Sequence, residues 1–178
     1  WTKVIHDADI NSIDQMTDGG YIVGGHMYGF LELENGSVLI SNNYCDGLVL
    51  RYNKDIELVD AKNIMRAQLT TVNNVVATEN NSYLICADTY LYGNSPSSMT
   101  LSANYPNFSI GFIEKYDKNE NLIWDEYIYD IDGYDDEILW AVTLFDAVKL
   151  NKCGDYIAAG NYFEGRNYGE VSLASTYI

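Results

Sequence analysis

Three stretches of this chain carry one pattern: Asp18-Gly-Gly-Tyr-Ile-Val-Gly-Gly25, Asn80-Asn-Ser-Tyr-Leu-Ile-Cys-Ala87 and Cys153-Gly-Asp-Tyr-Ile-Ala-Ala-Gly160. In each, a turn-forming cluster leads into a tyrosine and then a short apolar run. The tyrosines stand at 21, 83 and 156, so the steps are 62 and 73 residues. A second pattern follows the first two copies, Gly47-Leu-Val-Leu-Arg-Tyr-Asn-Lys54 and Gly111-Phe-Ile-Glu-Lys-Tyr-Asp-Lys118, 64 residues apart. A third match sets Trp1, Ile5, Asp7 and Asp9 on Trp124, Ile128, Asp130 and Asp132 without a gap, an offset of 123 residues or two periods. Independent anchors that agree on one period mean duplicated supersecondary units that stack on their neighbours.

Each unit reads as four strands, A to D. In the first, Asn11 to Met16 is A, Tyr21 to Met27 is B, Gly47 to Tyr52 is C and Ile56 to Ile64 is D. The second runs Thr70 to Thr78, Ser82 to Tyr90, Ser109 to Tyr116 and Leu122 to Tyr129. The third gives Ile138 to Leu150, Asp155 to Phe163 and Glu170 to Ile178. These runs are rich in Tyr, Ile and Val and are bounded by Gly, Asn and Asp, as half-buried sheet requires. Only Glu137 to Lys149 competes as a helix, with Ile138, Ala141, Val142 and Phe145 at helical spacing; its aligned counterparts at Ile13 and Val75 favour a strand.

Four-stranded antiparallel units at this spacing predict an all-β fold of β-propeller-like blades. The expected layout is a single segment: a lone strand D at 1–5, a blade over 11–64, a second over 70–129 and an incomplete one over 138–178. That is three blades' worth of strands, fewer than the roughly four of the smallest propellers. The chain is therefore expected to be a slice of a longer protein, or half of a dimeric six-bladed ring. A start at Trp1 with no initiator Met agrees with a processed or excised piece.

Charge and cysteine usage narrow the function classes. With 10 basic against 26 acidic side chains, the formal charge of −16 makes nucleic acid an unsuitable partner, because phosphate neutralisation needs clustered Lys and Arg. No apolar run reaches the ~20 residues of a membrane helix. Cys45, Cys86 and Cys153 form no CxxC pair, which fits neither zinc nor a disulfide framework; Cys86, inside an apolar run, reads as a small buried hydrophobe.

Asp18 to Gly25, Arg51 to Lys54 and Lys115-Tyr-Asp-Lys-Asn-Glu-Asn-Leu-Ile-Trp124 resemble the bacterial secreted and surface β-propeller repeats of the form DGGYIVGG…KYDxNGNxxW. The resemblance covers nearly the whole chain except Gly29 to Asn43 and Thr89 to Asn107. It departs at Glu120, where those repeats favour Gly, and at Asp60, where they favour Trp. It implies an extracellular or cell-surface location and a propeller architecture, and says little about activity. The Asp-box of sialidases is a poorer match, since its Ser and Thr are missing.

Strand parity places the short A–B and C–D turns at one end of the units and the B–C and D–A connections at the other. The B–C connections, His26 to Asp46 and Tyr90 to Phe108, are long against a typical ~4–6 residues. They carry Tyr28, Phe30, Tyr44, Tyr90, Tyr92, Tyr105 and Phe108, aromatics interleaved with Asn and Ser that can form a platform for a glycan or a protein ligand, or simply cover the blade ends. Phe30 to Ile40 alternates around Asn35-Gly36, a hairpin signal, so an extra β-ribbon is expected there.

The acidic run Asp130, Asp132, Asp135 and Asp136, with its counterpart Asp7 and Asp9, has the oxygen chemistry for Ca²⁺ but not the full spacing of a calcium-binding loop; a solvated acidic loop is the competing reading. His26, at the end of strand B, reads as a surface or loop-packing residue rather than a general base. With no GxSxG, HExxH or P-loop, no catalytic constellation is recognisable. The expected function is an extracellular binding or scaffold module. A fragment of a glycan-active propeller enzyme using Asp132, and a structural spacer of an adhesin, are the alternatives.

Overall fold

A computed structural model describes residues 4–41, 43–66, 68–92, 107–128, 138–149, 156–166 and 170–174. The described chain is all-β, with antiparallel sheets. In the first sheet β1 (Ala8–Gln15), β2 (Tyr21–Met27), β5 (Asp46–Tyr52) and β6 (Leu58–Ile64) pair in the order β1-β2-β5-β6. Between β2 and β5 lies a two-stranded ribbon, β3 (Phe30–Glu32) and β4 (Val38–Ile40). The next four strands, β7 (Leu69–Ala77), β8 (Tyr83–Tyr92), β9 (Asn107–Tyr116) and β10 (Leu122–Ile128), pair antiparallel in the same sequential manner. Last come β11 (Ile138–Lys149), β12 (Tyr156–Arg166) and β13 (Glu170–Ala174), antiparallel among themselves and joined to β9 in one hydrogen-bonded sheet by a parallel pairing of Ala141 with Ser109. The segment that had a competing helical spacing, 138–149, is therefore strand.

Several boundaries differ from the sequence reading: β6 starts at Leu58, β9 at Asn107, and β12 runs on to Arg166. Val4 and Ile5 belong to no strand, so the lone strand expected at 1–5 is absent where it can be described; Trp1 to Lys3 lie outside the described residues. Ile5 instead packs by its side chain on the first sheet. β1 starts at Ala8 and absorbs Asp9, and β8 runs on to Tyr92 because Thr89-Tyr90-Leu91-Tyr92 is built of strand-favouring residues.

The tight turns repeat one another in chemistry. Asn53 Oδ1 accepts the N–H of Asp55 at 2.9 Å and of Glu57 at 3.0 Å, and Asp117 Oδ1 does the same for Asn119 at 2.8 Å and Asn121 at 2.9 Å. Both turns hold a residue in the left-handed region, Ile56 and Glu120, each at φ 66°. The A–B turn uses Gly19 there, at φ +86°, where a side chain would be strained. All these turns gather at one end: Thr17 Oγ1 lies 2.6 Å from Asn81 Oδ1, Asn81 accepts the N–H of Asp18 at 2.9 Å, and Arg51 donates to the Lys118 carbonyl.

The first two sheets pack face to face. Alternation along β2 sends Ile22 and Gly24 toward the second sheet and Val23 and Met27 away from it. Ile22, Val49 and Ile64 meet Val72, Val75, Ile85 and Phe112 in the main core. Gly24 is required at this seam, since a Cβ there would stand 2.6 Å from Val75 Cγ1 and 2.8 Å from Val72 Cγ1. Along the edges, polar side chains of β1 satisfy the backbone of β7. Asn11 donates to the Val72 carbonyl at 2.9 Å, while Ser12 Oγ and Asp14 Oδ2 accept the N–H groups of Val75 at 3.2 Å and Ala77 at 2.8 Å. Two edge strands thereby cover each other. On the far face of the second sheet, Leu84, Cys86 and Ile113 pack with Trp124, Tyr156 and Ala158.

A set of charges crosses the main seam. Arg66 donates through Nε to Glu114 at 2.8 Å, and Tyr116 donates to the same carboxylate at 2.6 Å. Glu120 pairs with Lys62 at 2.9 Å and Arg51 at 3.3 Å and accepts the Tyr83 hydroxyl. The ammonium of Lys62 sits 3.3 Å from the Tyr116 ring centroid. Glu120 thus occupies a position suited to Gly by its φ but supplies ion pairs that Gly could not.

Glu114 is wholly buried whereas Arg66 keeps 28% of its side chain exposed, so removing the arginine strands a carboxylate in the core. Arg66→Met is expected to lower the unfolding free energy by about 3 kcal/mol in urea titrations, and Arg66→Met with Glu114→Leu by less than the single change. Alkali provides a second check. Burial, then the nearby Glu120 and Glu114 respectively, raises the hydroxyls of Tyr83 and Tyr116 well above the ordinary tyrosine value. Above pH ~10 the unfolded chain therefore sheds protons that the folded chain keeps, and each such tyrosine removes about 1.4 kcal/mol of stability per pH unit. Lys62, lowered by burial, works in the opposite direction just below its ordinary value, but Tyr52, raised by burial, joins Tyr83 and Tyr116 against it. Melting temperature is expected to fall from pH 10 to 11, with a shallower fall in Tyr83→Phe.

Candidate functional site

The end of the sheets opposite the tight turns is tied by main-chain bonds between the connections. The N–H of Tyr44 donates to the Gln68 carbonyl at 3.1 Å, that of Thr70 to Cys45 at 2.9 Å, and that of Tyr28 to Asp7 at 3.4 Å. Asp46, fully buried, fixes the loop further: its carboxylate accepts from Asn43 at 2.8 Å and from Asn63 at 3.2 Å. These anchors hold Tyr44 in place although its own side chain is 76% exposed.

Around that anchor four side chains converge. His26 Nε2 lies 2.8 Å from the Tyr28 hydroxyl and 3.2 Å from Asp9 Oδ2. A carboxylate can only accept, so Nε2 is the donor toward Asp9, while Nδ1 is buried and without a hydrogen-bond partner among the described residues. The His26 and Tyr28 rings meet edge to face at 5.1 Å, and Tyr28 meets Tyr44 in the same way at 6.3 Å. Tyr28 is 44% exposed. The result is a right-angled aromatic corner with a carboxylate and an imidazole at its base.

Beneath it the seam is acidic. Burial raises the Asp88 carboxyl above its ordinary value, while a hydrogen bond from Asn73 and the proximity of His26 pull it back. The thiol of Cys45 is pushed up to about 11 by burial and then by Asp46 and Asp9, so at neutral pH it is not a thiolate nucleophile. Its Sγ donates to the Thr70 carbonyl at 3.6 Å.

The expected site residues divide. Tyr28, Tyr44 and Asp9 come together here. Phe30 lies on the ribbon, which folds back across the outer face of the first sheet through Leu31 and Leu33 instead of standing at the rim with the aromatic corner. Asp7, at φ 61°, lines a groove on that outer face. Tyr90 is half-buried in β8 opposite Ser109, and Tyr92 and Phe108 belong to strands β8 and β9 rather than to a loop. Tyr105, Asp130, Asp132, Asp135 and Asp136 lie outside the described residues, as does Cys153. Among the described residues no group of three His, Cys, Asp or Glu side chains has the placement a metal ion needs.

His26 is the site residue that the sequence-based set leaves out: it reads there as a surface or loop-packing residue, and it packs edge to face on Tyr28. Strand parity could have found it, because Ile22, Gly24 and His26 share one side of β2 and that side meets the second sheet. A comparison with protein-family models and with curated protein sequences returns no match. Replacing His26 by Phe is expected to raise the Asp88 titration point further, read by ¹³C carboxyl NMR, because the attraction that opposes burial is removed.

Proposed function

We propose that the chain is a propeller-type segment of a cell-surface or secreted protein and that it binds a carbohydrate at the aromatic corner of Tyr28 and Tyr44. The architectural part is supported by two successive four-stranded antiparallel units in which each strand pairs with the next, and by the way one unit meets the next. Cys45, just before β5, bridges to Leu69 of β7, and Ser109 of β9 bridges to Ala141 of β11. Cys45 and Ser109 are 64 residues apart, the interval of the sequence pattern.

The observation that carries the binding reading is the exposed, right-angled pair of tyrosines held rigidly beside Asp9. Rings left this open forgo burial worth about 25 cal/mol per Å² and gain only if something else covers them. A sugar ring offers an apolar face to one tyrosine and hydroxyls to the carboxylate and the phenols, and rigid aromatic anchors lose little entropy on binding. Retention on a panel of immobilised oligosaccharides tests this. At least one should retain the wild-type chain, and Tyr44→Ala should weaken that retention about ten-fold with no change in melting temperature. Absence of any retained oligosaccharide, or equal retention of the variant, would overturn the assignment.

A further inference from the structure

The tip of the ribbon holds a reactive arrangement that the aromatic corner does not use. Asn35-Gly36 is the one Asn-Gly pair in the chain. It lies in the turn between β3 and β4, where the N–H of Leu33 donates to the Ser37 carbonyl and that of Gly36 to the Leu33 carbonyl, both at 2.8 Å. Glu34, Asn35, Gly36 and Ser37 are all exposed, so water and hydroxide reach the turn. Gly36 sits at φ +80°, and a Cβ there would meet nothing within 4 Å.

Two donors converge on the side-chain oxygen of Asn35. The N–H of Ser37 lies 2.9 Å from Oδ1, and Ser37 Oγ lies 2.6 Å from it. Donors aimed at an amide oxygen draw electrons from its carbon and stabilise the negative charge that a nucleophile would place there. The same contacts hold the side chain over its own backbone, as in an Asx turn. The adjacent nucleophile is the main-chain nitrogen of Gly36, which no side chain screens. Asn53 gives an internal comparison. Its Oδ1 also accepts two N–H groups, from Asp55 and Glu57, yet the residue that follows it is Lys54, and a Cβ crowds the approach to the nitrogen.

We propose that Asn35 is a self-modification site, an asparagine that cyclises onto Gly36 in the folded chain with the help of Ser37 and opens to aspartate or isoaspartate. The Gly36 nitrogen gives its proton to hydroxide and attacks Asn35 Cγ. The N–Cγ bond forms, the Cγ–Nδ2 bond breaks, and Nδ2 leaves as ammonia with a proton from water. Water then opens the cyclic imide, at Cγ to give aspartate or at the α-carbonyl to give isoaspartate, whose main chain runs through Cβ. Nothing is oxidised or reduced; ammonia goes out and water comes in. The bond from Gly36 to the Leu33 carbonyl is released first, an opening of the low-energy kind that exposed turns undergo. Isoaspartate lengthens the main chain by one methylene, so the two turn bonds cannot both reform and the ribbon frays from its tip. Leu31 and Leu33, buried on the first sheet, hold its base.

The test incubates the whole chain in mildly alkaline buffer and reads isoaspartate by peptide mapping and by enzymatic methyl transfer to isoaspartyl carboxylates. Product should accumulate in the ribbon peptide at least about ten-fold faster than at Asn53. Ser37→Ala should slow it about three-fold in the folded chain, well below the loss seen in a dry oxyanion site because water takes the place of the hydroxyl. Ser37 is exposed, so the melting temperature should stay unchanged. In urea the gap between Ser37→Ala and wild type should close. Absence of product at Asn35, or equal rates at Asn35 and Asn53, would overturn the proposal. So would a Ser37→Ala effect that is missing in the folded chain or persists in urea. Tyr44→Ala should not alter the rate, which keeps this outcome separate from that of the carbohydrate reading.

Discussion

The seam between the first two sheets decides most of what this molecule can be. An apolar layer supplies the bulk of the attraction there, but Glu114 is taken wholly out of water with it, and a buried carboxylate is tolerated only when paired. Arg66, from the connection between β6 and β7, and the Tyr116 hydroxyl, from β9 itself, meet that requirement. The requirement helps set the register: a one-residue slip of β9 against β8 would turn Glu114 to the other face and leave it without its partner. Lys62, Arg51 and Glu120 repeat the arrangement nearer the turn end. Apolar contact brings the sheets together, and the charges fix how they sit.

That fixed relation positions the aromatic corner. Asp9 comes from β1, His26 from β2, Tyr28 and Tyr44 from the connection between β2 and β5, and Asp88 from β8 of the neighbouring sheet. No single strand contains the site. It exists because β7 and β8 lie against the side of β2 on which Ile22 and His26 fall, and because Asp46 and the Gln68 carbonyl hold the loop down. The groove behind the ribbon depends on the opposite face of the same sheet, where Leu31 and Leu33 cover Leu48 and Leu50 and leave space further along.

Much of the strand layout was legible because period-two alternation and turn residues are local signals. Tyr21 to Met27 and the ribbon around Asn35-Gly36 follow directly from them. What could not be read was anything set by contact between units. The segment before Ala8 has the residues of a strand, yet Val4 and Ile5 join no ladder, since pairing needs a partner that local sequence does not name. The ribbon's placement over the sheet follows from Leu31 and Leu33 facing Val23 and Leu50, a tertiary match invisible in an alternating pattern. Tyr28 and Tyr44 were recognisable as loop aromatics, whereas the role of His26 depends on Asp9 and Tyr28 lying beside it. The departure at Glu120 looked neutral in sequence and is explained only by Lys62 and Arg51 across the seam.

Native-state hydrogen exchange addresses the shared seam most directly. If the first two sheets form one cooperative unit, amides of β2 and β5 should open with the same free energy as those of β8 and β9, and a destabilising change at Val75 should lower all of them equally. Amides of β2 and β5 that exchange by a separate, lower-energy opening, indifferent to a change at Val75, would contradict the account.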